Sequence, residues 1–269
     1  MIRAALAAAA ERLAATSATP RLDAELLMAH ALGVAREALL LGRLDDPAPA
    51  GFDTLVARRL AHEPIAYITG RRAFWTIELA VGPGALVPRP DSETLIEAAL
   101  AHFGARGPAR ILDLGTGPGT LLLAALDQWP EATGLGVDAS ADALAYARRN
   151  ASGRAEFRLG EWGKGIGERF DLILCNPPYV EADADLPPDV ARFEPAAALH
   201  AGADGLDAYR LLAPQFARLL APGGIVCLEI GAGQQEKVSA LMAAGGFTIQ
   251  SRRDLNGIIR CLILLADAE

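Results

Sequence analysis

Apolar residues recur at helical spacing through the first sixty residues of the chain. Helical spacing is shown by Leu22, Leu26, Leu27, Met28 and Leu32, and Gly33 is placed to end that helix. A second pattern of this kind runs from Phe52 to Leu60 after a turn at residues 45–47. The pattern predicts a small helical domain over residues 1–62.

The pattern changes over residues 63–88, where β-type residues are interrupted by glycines. Residues 74–79 and their flanks predict a β-hairpin that links two domains. The β-type residues are Tyr67, Ile68, Phe74, Trp75, Ile77, Leu79 and Val81. Pro88 and Pro90 then favour an extended segment, after which Asp91 or Ser92 can cap a helix that runs to about Phe103.

From residue 89 to the end, short apolar runs alternate with helical patterns, which is typical of a parallel sheet covered on both faces. The runs lie at residues 111–114, 134–137, around 157, 172–175 and 225–230, with helices at 120–128, 141–150, near 206–220 and 234–244. The end differs, because Leu255-Asn256-Gly257 joins two further β runs as a hairpin. We expect an α/β fold with a mostly parallel sheet that is closed by an antiparallel C-terminal hairpin.

Composition and charge narrow the function classes. The chain is 52% hydrophobic and 22% charged, so its 269 residues can bury a sizeable core. Residues 1–72 hold nine basic and eight acidic residues, whereas the remainder holds sixteen and twenty-five, which together give the net charge of −8. An acidic main domain disfavours tight binding to bare nucleic acid, which depends on basic contacts to phosphate.

The sequence points to a cytoplasmic protein. The alanine-rich start is followed at once by Glu11 and Arg12, which favours an amphipathic helix over a secretory signal. No uncharged run approaches the ~18 apolar residues of a membrane span. Cys175, Cys227 and Cys261 lie in apolar runs without metal or redox spacing, so buried reduced thiols and no metal site are expected.

A glycine-rich turn follows the first predicted strand of the sheet. It comprises Gly115, Thr116, Gly117, Pro118 and Gly119. Glycines there let the backbone approach a ligand closely, and the G-x-G-x-G spacing differs from the G-x-G-x-x-G of dinucleotide-binding proteins. The turn therefore favours a nucleoside ligand without pyrophosphate, although a glycine-rich turn without function has the same appearance.

Two residues at later strand ends are candidates for contacts to such a nucleoside. Asp138 ends the second strand and can accept hydrogen bonds from ribose hydroxyls; the alternative is an N-cap for the next helix. Trp162 follows the third strand and can cover an adenine face; the alternative is a core tryptophan.

The fourth strand is followed by Asn176, Pro177, Pro178 and Tyr179, which are the candidate catalytic and substrate-binding residues. An amide or aromatic amine is a poor nucleophile, because its nitrogen lone pair is delocalised. The Asn176 side-chain oxygen and the Pro177 carbonyl can hold both N–H bonds, while two prolines stiffen the loop and Tyr179 can stack on the planar group. This corner predicts methylation of a planar nitrogen; the alternative is a structural turn.

With these motifs the chain resembles the class I methyltransferases, and more narrowly the peptide chain release factor glutamine methyltransferases of the PrmC/HemK family. The family-specific part of the resemblance is the helical N-terminal region with Pro88-Arg89-Pro90-Asp91. Departures are small, such as Ser92 where the family often has threonine. The resemblance implies a Rossmann-like, seven-stranded sheet over residues 89–269, a helical substrate-docking domain over 1–62 and a hairpin linker over 63–88.

The resemblance also implies the chemistry. S-adenosylmethionine would contact residues 115–119, Asp138, Trp162 and Asn176, and residues 176–179 would contact the glutamine of the Gly-Gly-Gln motif of class 1 release factors. We expect a monomer without direct nucleic-acid binding. The Asn-Pro-Pro-Tyr loop is shared with RNA and DNA amino-methyltransferases, which stay the alternative, and a non-catalytic binding protein is a further one.

Overall fold

A computed structural model of the protein describes residues 1–266 and divides into two compact units. The first comprises residues 1–71 together with 186–194, and the second comprises residues 72–185 together with the described residues from 195 onwards. The residues predicted as a linker, 63–88, are thus shared between the two units. The predicted division into a docking domain (1–62), a linker (63–88) and a methyltransferase domain (89–269) assigns a function to each part, and these functions stay predictions.

The first unit is helical. In chain order its helices are α1 (Ile2–Leu13), α2 (Pro20–Leu32), α3 (Arg36–Gly42), α4 (Phe52–Leu60) and α5 (Ile65–Thr69). Gly33 ends α2 with a φ of 66°, as its position in the sequence predicted. The core is formed by Ile2, Leu6, Leu13, Leu27, Met28, Leu39, Phe52 and Val56.

The interpretation of Tyr67 and Ile68 as β-type residues was wrong. Both are buried in α5, which begins directly after Pro64, and the Ile68 amide donates to the Pro64 carbonyl at 3.0 Å. Gly70 ends the helix with a φ of 75°. A proline before the first turn and a left-handed glycine after the last define a short helix, whatever the β propensity of the residues between them.

The predicted hairpin comprises β1 (Arg71–Phe74) and β2 (Ile77–Ala80), and the second unit begins within β1, at Arg72. Its turn residue Trp75 has a φ of 55°, and the Trp75 amide donates to the Glu93 carboxylate at 2.9 Å. The Asn150 amide bonds to both backbone groups of Ala80, at 2.8 and 3.0 Å, and to the Pro118 carbonyl at 3.0 Å. The hairpin is therefore fixed by Glu93 and Asn150, and Asn150 also holds the glycine turn.

The remaining elements follow the predicted alternation. They are α6 (Glu93–Phe103), β3 (Arg110–Leu114), α7 (Thr120–Gln128), β4 (Thr133–Asp138), α8 (Ala141–Asn150), β5 (Ala155–Leu159), β6 (Phe170–Cys175), α9 (Pro188–Phe193, in the first unit), α10 (Asp207–Leu219), β7 (Leu220–Glu229), α11 (Gln235–Ala243), β8 (Phe247–Arg253) and β9 (Ile259–Ala266).

The sheet of the second unit has seven strands in the described part of the chain, in the order β5-β4-β3-β6-β7-β9-β8. Strands β3 to β7 are parallel, and β9 lies antiparallel between β7 and β8. The predicted mostly parallel sheet with an antiparallel C-terminal hairpin is confirmed. The chain order reverses between β3 and β6, the place where open α/β sheets bind ligands.

Cys175, Cys227 and Cys261 are free and buried, as predicted. Within residues 1–266, no helix is both long and apolar enough to cross a membrane. No cluster of His, Cys, Asp and Glu side chains that could hold a metal ion occurs in the same range.

Candidate active site

A cavity of about 330 Å³ opens at the carboxyl ends of β3, β4, β5 and β6, all within the second unit. The predicted site residues that line it are Gly115, Thr116, Gly117, Pro118, Asp138, Trp162, Asn176 and Pro178. The predicted residues Gly119, Pro177 and Tyr179 are not part of its lining. Half of the remaining lining residues lie in the segments 84–92 and 195–198, which the sequence analysis did not assign to the site.

The glycine turn wraps around the end of β4. The amides of Gly115 and Thr116 both donate to the Val137 carbonyl, at 2.9 and 3.0 Å. Gly115 and Gly117 have φ values of 74° and 57°, which residues with a β-carbon adopt at a cost. Gly119 serves packing instead, since a Cβ there would lie 2.8 Å from Leu123 Cδ1.

Asp138 connects the two loops that border the cavity. Its Oδ2 accepts from the Gly117 amide and its Oδ1 from the Ser140 amide, both at 2.8 Å. The alternative role as an N-cap falls to Ser140, whose hydroxyl accepts from the Ala143 amide at 3.1 Å. A carboxylate has about four acceptor positions, so Asp138 retains roughly two for a ligand.

Trp162 borders the cavity in an unusual backbone conformation, with a φ of 50°. Its ring lies beside the glycine turn, because a Cβ on Gly115 would meet Trp162 Cζ3 at 3.4 Å. The half-buried side chain also packs against the core of the second unit. Trp162 thus borders the cavity and also packs against the core, and its left-handed backbone is typical of functional sites; its contact with an adenine face stays a prediction.

Asn176 lies next to the glycine turn because β3 and β6 are neighbours with Leu114 opposite Cys175. Its Nδ2 donates to Ser92 Oγ at 3.0 Å. Within residues 1–266 no hydrogen bond engages its Oδ1. Pro177 is buried behind this corner, while Pro178 lines the cavity.

Tyr179 turns away from the cavity. Its hydroxyl donates to Glu229 Oε1 at 3.3 Å, and burial beside that carboxylate raises the pKa of the phenol. The Tyr179 carbonyl accepts from Gln234 Nε2 at 3.0 Å. These bonds hold the proline corner from behind, whereas the predicted stacking of the ring on a planar group has no support in this arrangement and stays a prediction.

Three residues that sequence reasoning did not place in the site support it from below. Ser92 was expected to cap α6, yet its hydroxyl makes no cap bond and meets Asn176 instead. Glu229 is 1% exposed at the end of β7, and burial raises the pKa of its carboxyl to about 7. A carboxylate inside the apolar run 225–230 was the signal that could have identified Glu229.

Asp113 is the third of these residues and is completely buried. Its Oδ2 accepts from Thr116 Oγ1 at 2.7 Å and from the Leu122 amide at 3.2 Å, while Oδ1 has no partner within the described residues. Burial raises the pKa of this carboxyl to about 7, the two hydrogen bonds oppose that rise, and Asp138 adds to it. Its place at the head of the Asp-x-Gly-x-Gly-x-Gly motif was the available signal.

Comparison with known proteins decides the family. Residues 4–70 match the model of the PrmC N-terminal domain, and residues 107–251 match that of a methyltransferase domain. The release factor glutamine methyltransferase of Rhodospirillum rubrum is 47% identical over 255 residues, which cover 91% of this chain and 78% of that protein. The chain belongs to the release factor glutamine methyltransferase family. The Cereibacter sphaeroides member is 43% identical, with 94% of each chain covered.

Solved structures agree on the fold of the second unit. The 16S rRNA N2 G1207 methyltransferase of T. thermophilus superposes with a TM-score of 0.55 at 20% identity, covering 73% of this chain and 49% of that one. At this identity the likeness extends to the fold alone. Together with the match of residues 107–251 to a methyltransferase domain, the strand order of the sheet confirms the class I methyltransferase fold expected from the sequence.

Proposed function

We propose that the protein transfers the methyl group of S-adenosylmethionine to the side-chain amide nitrogen of the glutamine in the Gly-Gly-Gln motif of class 1 peptide chain release factors. Family membership supports this reaction, since the relatives are named for it. The observation that carries it in this chain is the juxtaposition of Asn176 with the glycine turn at one edge of the sheet.

The chemistry of the cavity fits this cofactor. Gly115 and Gly117 allow close approach of a nucleoside, Asp138 retains acceptor positions for a ribose diol, and Trp162 offers a flat apolar face. Asp113 leaves an unpartnered carboxylate oxygen beneath the wall of the cavity, suited to the positive charges of an amino acid sulfonium. The cofactor would supply a methyl group made electrophilic by that sulfonium.

The residues of the corner would act by position. We infer that Asn176 Oδ1 and the Pro177 carbonyl each accept one N–H of the substrate amide, which holds the nitrogen in line with the methyl carbon. Acceptors on both N–H bonds also favour the pyramidal nitrogen that forms as the C–N bond is made. Adjacent prolines limit the freedom of the corner, so these acceptors need little reorganisation during the reaction.

The wider biological setting is part of the same proposal. The helical residues 1–62 would dock the release factor, and the protein would act as a monomer in the cytoplasm, where release factors work. Direct contact with nucleic acid is not expected, because the part of the chain after residue 72 carries nine more acidic than basic residues.

Mass spectrometry tests the proposal directly. Purified release factor is incubated with the enzyme and S-adenosylmethionine and then digested, and one added CH₂ is sought on the glutamine of the Gly-Gly-Gln peptide. A release factor with that glutamine changed to alanine is the matched control and should gain nothing. Methyl groups found on tRNA, rRNA or DNA, with none on the release factor, would establish the RNA or DNA amino-methyltransferase instead.

A further inference from the structure

The peptide that follows the proline corner (residues 176–179) is held from two sides within the second unit. Its carbonyl, that of Tyr179, accepts a hydrogen bond from Gln234 Nε2 at 3.0 Å. Its amide, that of Val180, donates to the Leu199 carbonyl at 2.9 Å. Gln234 lies directly before α11 and is not part of the cavity lining. A side chain outside the cavity thus holds the end of the corner that borders it.

The orientation of the Gln234 amide follows from its backbone partners. The Gly231 amide donates to Gln234 Oε1 at 3.0 Å, and a backbone N–H can only donate. The Tyr179 carbonyl can only accept, so it faces the NH₂ group of Gln234. Longer contacts join the Tyr209 hydroxyl to Oε1 at 3.4 Å and the Gly205 carbonyl to Nε2 at 3.5 Å. The side chain therefore connects the proline corner to the loops at Gly205 and Gly231 in a single orientation.

Two glycines leave room for this connection. A Cβ on Gly231 would lie 2.7 Å from Gln234 Oε1. A Cβ on Gly205 would lie 2.8 Å from Gln234 Nε2 and 2.4 Å from the Tyr179 carbonyl oxygen. These distances are shorter than Cβ contacts in proteins, so a side chain at either position would displace the glutamine or the corner. Two separate segments of the chain thus have glycine where they approach Gln234.

The other end of the corner is held as well. Asn176 Nδ2 donates to Ser92 Oγ at 3.0 Å. Between the two ends, the rings of Pro177 and Pro178 fix φ at both positions. The direction of the Pro177 carbonyl then depends on the few torsions that remain, and a fixed Tyr179 carbonyl restricts them.

We propose that Gln234 is a positioning residue: by holding the Tyr179 carbonyl, it sets the direction in which the Pro177 carbonyl accepts an N–H of the substrate amide. This inference rests on the proposed function, in which that carbonyl is one of two acceptors. Gln234 would touch neither cofactor nor substrate, because it does not line the cavity. Loss of its hydrogen bond should therefore lower kcat and leave the affinity for S-adenosylmethionine unchanged.

Gln234→Glu isolates the hydrogen bond from the rest of the residue. The variant keeps the size of the side chain, and a negative charge near the N-terminus of α11 is favourable for stability. One carboxylate oxygen still accepts from the Gly231 amide, while the other faces the Tyr179 carbonyl. An ionised carboxylate has no proton to donate there, whereas the neutral acid has one. The variant should therefore lose the bond as pH rises and regain it as pH falls.

Other titratable groups on the neighbouring elements add pH dependence of their own, so the unchanged protein is the reference at each pH. These groups are Tyr179, Asp204, Tyr209, Glu229, Glu236 and Lys237. The matched control is Gln235→Glu, which makes the same change at the next position. Within residues 1–266, the Gln235 side chain makes no hydrogen bond to the corner.

Carbonyl NMR observes the held peptide without catalysis. Tyr179-Val180 is the one Tyr-Val pair among the four tyrosines of the sequence. Protein labelled with carbonyl-¹³C tyrosine and ¹⁵N valine therefore gives a single cross-peak, between the Tyr179 carbonyl and the Val180 amide. We expect its carbon shift to move upfield in Gln234→Met, which keeps the length of the side chain but removes the donor. Relative to the unchanged protein, the shift should follow pH in Gln234→Glu but not in Gln235→Glu.

Kinetics test whether the held peptide matters for methyl transfer. Relative to the unchanged protein, kcat of Gln234→Glu should be about tenfold lower at about pH 9 and should recover towards about pH 5, the scale of one hydrogen bond. Gln234→Met should be lowered by about the same factor at every pH, and Gln235→Glu should match the unchanged protein. The Kd for S-adenosylmethionine should stay within about twofold in all three, since the cofactor loses no contact. Thermal unfolding shows whether each variant is folded.

The outcomes for this inference and for the proposed function are distinct. A Tyr179 carbonyl resonance that is the same in folded Gln234→Met as in the unchanged protein would show that Gln234 does not hold the peptide, whatever the substrate. A resonance that moves while kcat of Gln234→Glu keeps the pH profile of the unchanged protein would overturn the positioning role. If the resonance moves as expected and release factor gains no methyl group, the proposed reaction is overturned, whereas the hold of Gln234 on the corner is retained.

Discussion

Removal of the Asp138 carboxylate should weaken the binding of S-adenosylmethionine more than any comparable loss of surface charge. The two carboxylate oxygens each hold one backbone amide at 2.8 Å, and the remaining acceptor positions would bind the ribose hydroxyls. A hydrogen bond to a charged acceptor contributes about 1.5–3 kcal/mol. Asp138→Ala should therefore raise Kd by roughly 12- to 140-fold, since each 1.4 kcal/mol is a factor of ten.

Asp138→Asn isolates the contribution of loop support. Both oxygens face N–H donors, of Gly117 and of Ser140, so the amide NH₂ must meet one of them and that bond is lost in either orientation. We expect an intermediate Kd, because one oxygen still accepts. The matched control is Glu131→Ala, which removes the same charge from an exposed position.

Titration calorimetry at one fixed ionic strength measures all three variants, and thermal unfolding shows whether each is folded. A Kd within twofold of the unchanged protein in folded Asp138→Ala would remove Asp138 from the cofactor site. An equal loss of affinity in Glu131→Ala would show that long-range charge, not hydrogen bonding, controls binding.

The other predictions concern the proline corner and the buried carboxylates. Asn176→Ala should lower turnover on the order of 10²–10³-fold and affect cofactor affinity less, and near-normal turnover in the release factor assay would refute its role. Gly205→Ala should lower the free energy of unfolding by about 1–3 kcal/mol in denaturant titration. Its backbone has a φ of 69°, and an added Cβ would lie 2.4 Å from the Tyr179 carbonyl oxygen. Gly233→Ala is the control for backbone strain alone, because Gly233 has a φ of 80° and open space around it. Burial raises the pKa of Glu229 from the ordinary value of 4.5 to about 7, so the folded protein binds this proton more tightly than the unfolded chain. The free energy of unfolding should therefore fall as pH rises from about 4.5 to about 7, by roughly 3 kcal/mol at most. If Glu229→Gln leaves the pH dependence of unfolding unchanged in that window, the prediction is refuted.

The hydrophobic periodicity of the sequence was sufficient to predict most helices and strands of the second unit. Helices predicted at residues 120–128 and 141–150 coincide with α7 and α8, and the Asn256-Gly257 turn correctly placed the terminal hairpin. Apolar strand runs between helices leave few alternatives for such a sheet. The β propensity of Tyr67 did not predict the short helix in which it lies. In a helix of five residues, the residues at the two ends decide the conformation.

The residues of the candidate site were predictable where a polar side chain directly follows the end of a predicted strand. Asp138 and Asn176 follow β-type runs directly, so topology alone brings them to one edge. Ser92 and Asn176 were not predictable as partners, because they are 84 positions apart and meet only when the segment before α6 lies beside the end of β6. Likewise Tyr179 was expected to stack on a planar substrate group, and nothing in the sequence indicated that its hydroxyl bonds to the buried Glu229.

Two buried carboxylates lower the stability of the fold but position segments of the candidate site. Asp113 and Glu229 each lie in the core with one oxygen unpartnered among the described residues, and burial raises the pKa of both to about 7. An apolar residue would avoid that desolvation. Yet each carboxylate anchors a segment near the cavity: Asp113 holds the Thr116 hydroxyl and the first turn of α7, and Glu229 holds the Tyr179 hydroxyl. The two buried carboxylates thus lower stability but hold the glycine turn and the proline corner in place. In-line methyl transfer requires such fixed positions.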